Sequence, residues 1–257
     1  HFGPVAPIIV QPPPLVRDLP PETEIRLVLR RPTAVPRIVL AYRQPPYGHA
    51  DVAAVEVLTT LLSHGRTSRL FDALVEDQQL VGDIGMEFFL TAEPFLMMVF
   101  AEIKPGVPVA KVERAILAEI KRLQQEPVGL DELTKAKNLI VAGRAFDDET
   151  TMAQAQRYAE AAMLGDWQDA DRAMDDYLAV TAADVQRVAK LYFDPASRIV
   201  GVQKNGKRKA LFGDADSTPP PEAPPPVSLN PVQPVLAAPR MVVPEVRRWV
   251  LPNGLVL

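Results

Sequence analysis

Cysteine is absent from the 257-residue chain, and histidine occurs three times. The first absence excludes disulfides and thiolate metal sites. The second leaves His1, His49 and His64, none with another histidine three or four residues away, so neither HExxH nor HxxEH is present. His49 and His64 bracket a predicted helix, too far apart for one helical face to unite them. A G-x-S-x-G elbow, a P-loop and a G-x-G-x-x-G turn are missing too, which removes the sequence signals for a serine hydrolase, an NTPase and a dinucleotide site. No apolar run reaches the roughly 18 residues a membrane-spanning helix needs. Net charge is only −4, too mild to argue for nucleic acid or anionic lipid.

What is present is ordinary globular material, 47% hydrophobic and 23% charged. Residues 1–23 form an extended, proline-rich interdomain segment, and His1-Phe2-Gly3-Pro4 reads as the middle of a longer protein. A domain follows over 24–213. Residues 25–31 alternate as a half-buried strand, with Ile25, Leu27 and Leu29 on one face. Residues 37–42 are nearly all apolar, as a central strand would be. A helix over 51–63 takes Asp51 as N-cap and Gly65 as its left-handed stop. A second helix opens at Thr67 or Ser68, with Ser68 as cap, and buries Leu70, Phe71 and Leu74. Strands over 81–89 and 95–103 come next. Then Val109, Val112, Ile116, Ile120 and Leu123 mark an amphipathic helix. Helices over 131–146, 151–164, 168–178 and 182–192 follow, the last capped by Thr181, before a closing strand over 198–204.

Strands, then helices, then one more strand imply an α+β fold: a two-layer sandwich of a mostly antiparallel sheet with helices on one face. Residues 214–244 are a proline-rich linker able to reach roughly 80 Å at about 3.1 Å per residue. Residues 245–257 read as strand, Pro-Asn-Gly turn and strand, the truncated start of a further half. Asp147-Asp148-Glu149 reads as a helix-terminus cluster, and Met97 and Met98 read as core.

Five stretches resemble one family. These are His1-Phe2-Gly3-Pro4-Val5; D-x-x-A-x-x-V-L-x-x-L-L-x-x-G-R-T-S-R-L over 51–70; E-L-T-K-A-K-N over 132–138; T-A-A-D-V over 181–185 with Ala189 and Tyr192; and L-P-N-G-L over 251–255. In this order the chain resembles the second domain of one half of a pitrilysin/insulinase-type zinc metallopeptidase, the family that includes mitochondrial processing peptidases. The resemblance implies a clamshell of two halves closing on an extended peptide. An HxxEH site of the inverted-zincin kind would lie on a domain upstream of His1. It also implies no cofactor and no catalytic or metal-binding residue in this chain, with zinc belonging to the parent protein. The partners implied are the upstream zinc-bearing domain, the downstream second half and a peptide substrate. The supporting half of such enzymes resembles L-R-x-x-x-x-L-G-Y, whose Arg and Tyr stabilise the tetrahedral intermediate. Here those positions hold Val75 and Gly82. Peptide binding, including addition of a substrate as an edge strand, is therefore the expected role. Arg66, Ser68 and Arg69 are the candidate peptide-facing residues. The alternatives are an inactive relative with a structural or assembly role, or a stand-alone peptide-binding module. Compartment is not fixed by the residues, although a cysteine-free chain with a prolyl tether suits a bacterial periplasm.

Overall fold

The computed structural model describes residues 21–206. The first and last of the five family-like stretches, the linker and the final hairpin lie outside them. Five strands form one sheet: β1 (Ile25–Arg31), β2 (Arg37–Arg43), β3 (Val81–Glu87), β4 (Leu96–Ile103) and β5 (Ile199–Asn205). Their spatial order is β1-β5-β2-β4-β3. Three pairings are antiparallel and β1–β5 is parallel. The helices are α1 (Val52–Ser63), α2 (Arg69–Phe71), α3 (Val109–Gln125), α4 (Leu130–Asp147), α5 (Thr151–Leu164), α6 (Asp169–Ala179) and α7 (Ala182–Tyr192). A π-helical turn, Asp72–Asp77, continues α2.

Register explains the layering. Ile38, Leu40 and Tyr42 of β2 align with Ala101, Val99 and Met97 of β4, and all six are buried. Val200 and Val202 of β5 join them. Against this face lie the buried stripe of α3 (Val112, Ile116, Ile120 and Leu123) and the apolar residues of α1, among them Val55, Leu58 and Leu62. The opposite face carries Val39, Met98 and Phe100, which are only partly covered. There Phe100 lies across Gly85, whose absent Cβ would stand 2.5 Å from the ring. The expected α+β sandwich, with a mostly antiparallel sheet and helices on one face, is the fold observed.

Four local expectations need correction. The last strand does not close an edge; β5 sits between β1 and β2. β1 is consequently an edge strand. Ile25 and Leu27 stay 41% and 55% exposed on the helix-free face, while Arg26 on the helix side pairs with Glu113 of α3. Asp51 occupies the N-cap position of α1 but makes no capping bond, because its carboxylate is taken by Arg187 and Tyr192. Nor does Ser68 cap α2; its hydroxyl donates to the carbonyl of Gly65 at 2.8 Å. Elsewhere local signals hold. Gly65 adopts φ +81°, the left-handed value that ends α1. Thr181 and Asp184 form a full capping box on α7.

Ile116 is wholly buried and Leu130 is 79% exposed. Ile116→Ala should therefore destabilise by about 2–5 kcal/mol, whereas Leu130→Ala should stay within about 0.5 kcal/mol. Denaturant titration of both variants checks the assignment of the core.

Candidate functional site

The turn from His64 to Ser68 ends α1 and feeds α2, and it is stapled to α4. Arg69 donates from Nε and Nη2 to the two carboxylate oxygens of Glu132, both at 2.7 Å. Lys135, one turn further along α4, donates to the carbonyl of Thr67 at 3.1 Å and to its hydroxyl. Two of the family-like stretches, residues 51–70 and 132–138, thus meet in space. Glu132 raises the pKa of Arg69 by hydrogen bonding and outweighs the opposing effect of burial.

The three sequence candidates differ in setting. Arg66 projects into solvent with its side chain 81% exposed and pairs with Glu76 at 2.8 Å. Its guanidinium also stands over the Phe71 ring. Ser68 is buried against Gly65. Arg69 is largely buried in its fork with Glu132, and its Nη1 is a buried atom without a partner. The turn brings the three together in the chain, but only Arg66 opens outward.

A second constellation was not legible in the sequence. A cavity of about 850 Å³ lies beneath α5, between that helix and α6 on one side and the start of α1 with residues 88–90 on the other. Gly165, just past α5, sits against the Tyr47 ring, where a Cβ would be 3.1 Å from it. Arg144 and Tyr177 line the cavity and belong to a relay across three helices. Arg144 of α4 donates to the Tyr177 hydroxyl at 3.3 Å, and that hydroxyl donates to Glu56 of α1 at 2.5 Å. Burial first, and then the Glu56 charge, push the Tyr177 pKa up, so the phenol stays protonated as the donor. At the rim, Tyr192 donates to Asp51 at 2.9 Å and Arg187 pairs with the same carboxylate at 2.7 Å. Gln44 is buried as well, and its amide bonds both the N–H and the C=O of Phe89, like a short piece of strand. Residues 44, 56, 144 and 177 share no spacing a linear reading could detect; of the group, Asp51 and Tyr192 stand inside family-like stretches.

Nδ1 of His49 accepts the backbone N–H of Asp51 at 3.1 Å. Among the described residues no group of three His, Asp or Glu side chains converges as a metal site would require. These residues do not fit zinc, and no chemical step is assigned to them.

Comparison with known proteins gives concordant results. The family model "Peptidase M16 inactive domain" matches residues 1–140. The zinc protease PqqE of Helicobacter pylori is 24% identical over 156 residues, covering 61% of this chain and 35% of that protein. A solved protease structure from Helicobacter pylori has a TM-score of 0.72 at 21% identity, covering 75% of this chain and 47% of that one. The inactive peptidase domain of a candidate zinc protease from Bordetella parapertussis has a TM-score of 0.61 at 24% identity, covering 68% and 94%. The chain therefore spans about a third to a half of the longer relatives it matches.

Two measurements follow from the ion pairs. Glu132→Gln leaves a largely buried guanidinium short of its acceptors and should cost about 1–3 kcal/mol. Glu76→Gln, at an exposed pair, should cost under about 1 kcal/mol. For acid stability, burial alone would raise the Asp51 pKa, but the bonds from Arg187 and Tyr192 hold it below the usual aspartate range. Hydrogen bonds from Thr181 lower Asp184 similarly. Carboxylates lowered in the folded state stabilise fully above their unfolded pKa of about 4, and that stability is lost as pH falls through the folded values. Asp51→Asn should accordingly flatten the loss of stability below about pH 4, measured by chemical denaturation at pH 2.5–6.

Proposed function

Because this chain belongs to the peptidase M16 inactive-domain family, we propose that it is the non-zinc-binding, chamber-forming and peptide-binding domain of a zinc metalloendopeptidase. In this reading an upstream domain holds the zinc, and a second half follows the 214–244 linker. The domain itself runs over 24–213, and 245–257 opens that second half.

One observation carries the reading: among the described residues the sheet is covered by helices on one face only and ends in an edge strand. β3 pairs with β4 on one side, and no described strand lies beyond it. Its main-chain donors and acceptors are a template for an added strand. The uncovered face, with Val39, Met98 and Phe100 at its centre, supplies an apolar wall for a chamber. Such a wall accepts side chains by shape more than by type. Arg66, Ser68 and Arg69 remain the peptide-facing candidates of the α1–α2 turn. Arg66 is the one whose head reaches solvent, in an exposed pair with Glu76, whereas the other two are buried in the turn.

The test uses the 257-residue chain and a labelled ten-residue extended peptide followed by fluorescence anisotropy. Strand addition predicts that N-methylation at alternate backbone positions abolishes binding in one register and spares it in the other. Equal binding of both N-methylated series, or no binding at all, would sink the edge-strand reading. One tightly held zinc per chain in metal analysis would overturn the non-zinc-binding role. A coding sequence without HxxEH upstream of His1 would remove the peptidase and leave a structural or assembly role.

A further inference from the structure

The net charge of −4 conceals a separation of charge along the strands. β1, β4 and β5 run one way and β2 the other, so the ends of the first three and the start of β2 share one end of the sheet. That end is basic. Arg30 and Arg31 close β1, Lys204 stands next to last in β5, Lys104 follows β4, and Lys111 lies in the first turn of α3. Among the described residues none of these five has an ion-pair partner; the carboxylates near them, Glu102 and Glu113, are taken by Arg37 and Arg26. The opposite end is acidic. Gly48, past the end of β2, lies beside Asp169, whose carboxylate would be 3.9 Å from an added Cβ. Between residues 147 and 176 nine Asp and Glu residues are accompanied by only two basic ones, Arg157 and Arg172.

Like charges are gathered at the basic end rather than dispersed. Arg30 and Lys204 are neighbours in the parallel ladder, an arrangement that repels. The carbonyl of Arg31 accepts the N–H of Gly206 at 3.2 Å, tying the two strand ends together. In the sequence Lys207, Arg208 and Lys209 come next. The surroundings select the class of partner. Residues 30–37, 101–114 and 202–206 contain no aromatic side chain, so nucleic-acid bases have nothing to stack on. None of them is an exposed large hydrophobic, whereas a protein interface draws its affinity from such anchors. They line no part of the α5 cavity either. Concentrated positive charge without apolar or aromatic groups suits a plane of phosphates, where each Lys or Arg near the surface strengthens binding about fivefold, or about 1 kcal/mol.

We propose that the basic end of the sheet, built from Arg30, Arg31, Lys104, Lys111 and Lys204, is a docking surface for an anionic phospholipid membrane. Contact is peripheral and electrostatic, and the α5–α6 end is turned away from the lipid by its own negative charge. This contact is independent of the peptide-binding role.

Co-sedimentation of the 257-residue chain with large vesicles provides the test. One set is phosphatidylcholine alone; the other carries about 30% phosphatidylglycerol to supply a negative surface potential. At low salt the chain should bind the anionic set and leave the neutral one, and binding should be lost near 1 M salt, where the Debye length falls to about 3 Å. The double variant R31Q/K111Q removes two exposed charges and should weaken binding about 25-fold, at about fivefold per charge. The double variant K121Q/K190Q changes net charge equally at exposed positions further along α3 and on α7, and should weaken it less than about threefold. Circular dichroism checks that both variants keep their fold. Equal sedimentation with the two vesicle sets, no sedimentation with either, or the same loss in both double variants overturns the docking surface. Displacement from the anionic vesicles by duplex DNA at matched phosphate concentration assigns the surface to nucleic acid and overturns the lipid assignment.

Discussion

A largely buried arginine fork holds the helix layer together. Arg69 cannot leave water without an acceptor of matching geometry, and Glu132 provides it with two parallel bonds. The net worth of such a pair is modest, since desolvation offsets much of the attraction. Its leverage is positional. Removing either partner strands a charge, so the first turn of α4 must lie beside α2. Once α4 is set there, Lys135 reaches Thr67, Lys137 reaches the Leu178 carbonyl at the end of α6, and Arg144 reaches Tyr177. Tyr177 in turn fixes Glu56 of α1. One register decision on α4 therefore places four helices.

The sheet depends on charge in a different way. β1 has little apolar burial of its own, because Ile25 and Leu27 lie on the uncovered face and Val28, on the helix side, is still 40% exposed. Polar ties hold it at the edge. Arg26 bridges to Glu113 on α3 at 2.5 Å, and Arg198 reaches Glu24 just before the strand. The Glu24 carboxyl is held below its ordinary pKa, first by its bond from Arg198. Seven residue pairs of parallel ladder with β5 supply the rest. An edge built on main-chain bonds and arginines is less prone to pair with stray strands than a flat apolar one.

The sequence was most legible where a signal is local. The stripe of α3, the capping box at Thr181 and the glycine after α1 need only a few neighbouring residues, and each appears where its spacing put it. Asp51 and Ser68 show the limit. Both occupy N-cap positions, but other partners prevail over the capping bond: the distant Arg187 and Tyr192 for Asp51, and the carbonyl of Gly65 in its own turn for Ser68. Insertion of β5 between β1 and β2 was equally hidden, since nothing in seven apolar-rich residues distinguishes an edge from a centre. The α5 cavity left no trace because a void is defined by residues from five separate stretches. The motifs that carried the family resemblance turn out to be contact points: the residues at 66–70 and 132–138 touch, and Tyr192 of the fourth stretch reaches Asp51 at the start of the first helix.

Val75 and Gly82 bear on what kind of work the domain can do. Packing does not forbid larger or charged groups at these places. A Cβ on Gly82 would meet nothing within 4 Å, and its backbone is not in the left-handed region. Val75 is only partly buried at the margin of the core. An arginine there could extend to solvent along its aliphatic stem, and a tyrosine at 82 has room. Their absence is thus a matter of chemistry rather than space. Neither side chain present can donate a hydrogen bond to a developing oxyanion. What the described residues retain is the geometry on which the proposed peptide-binding role rests: an edge strand with no neighbour among them and an apolar sheet face that their helices leave uncovered.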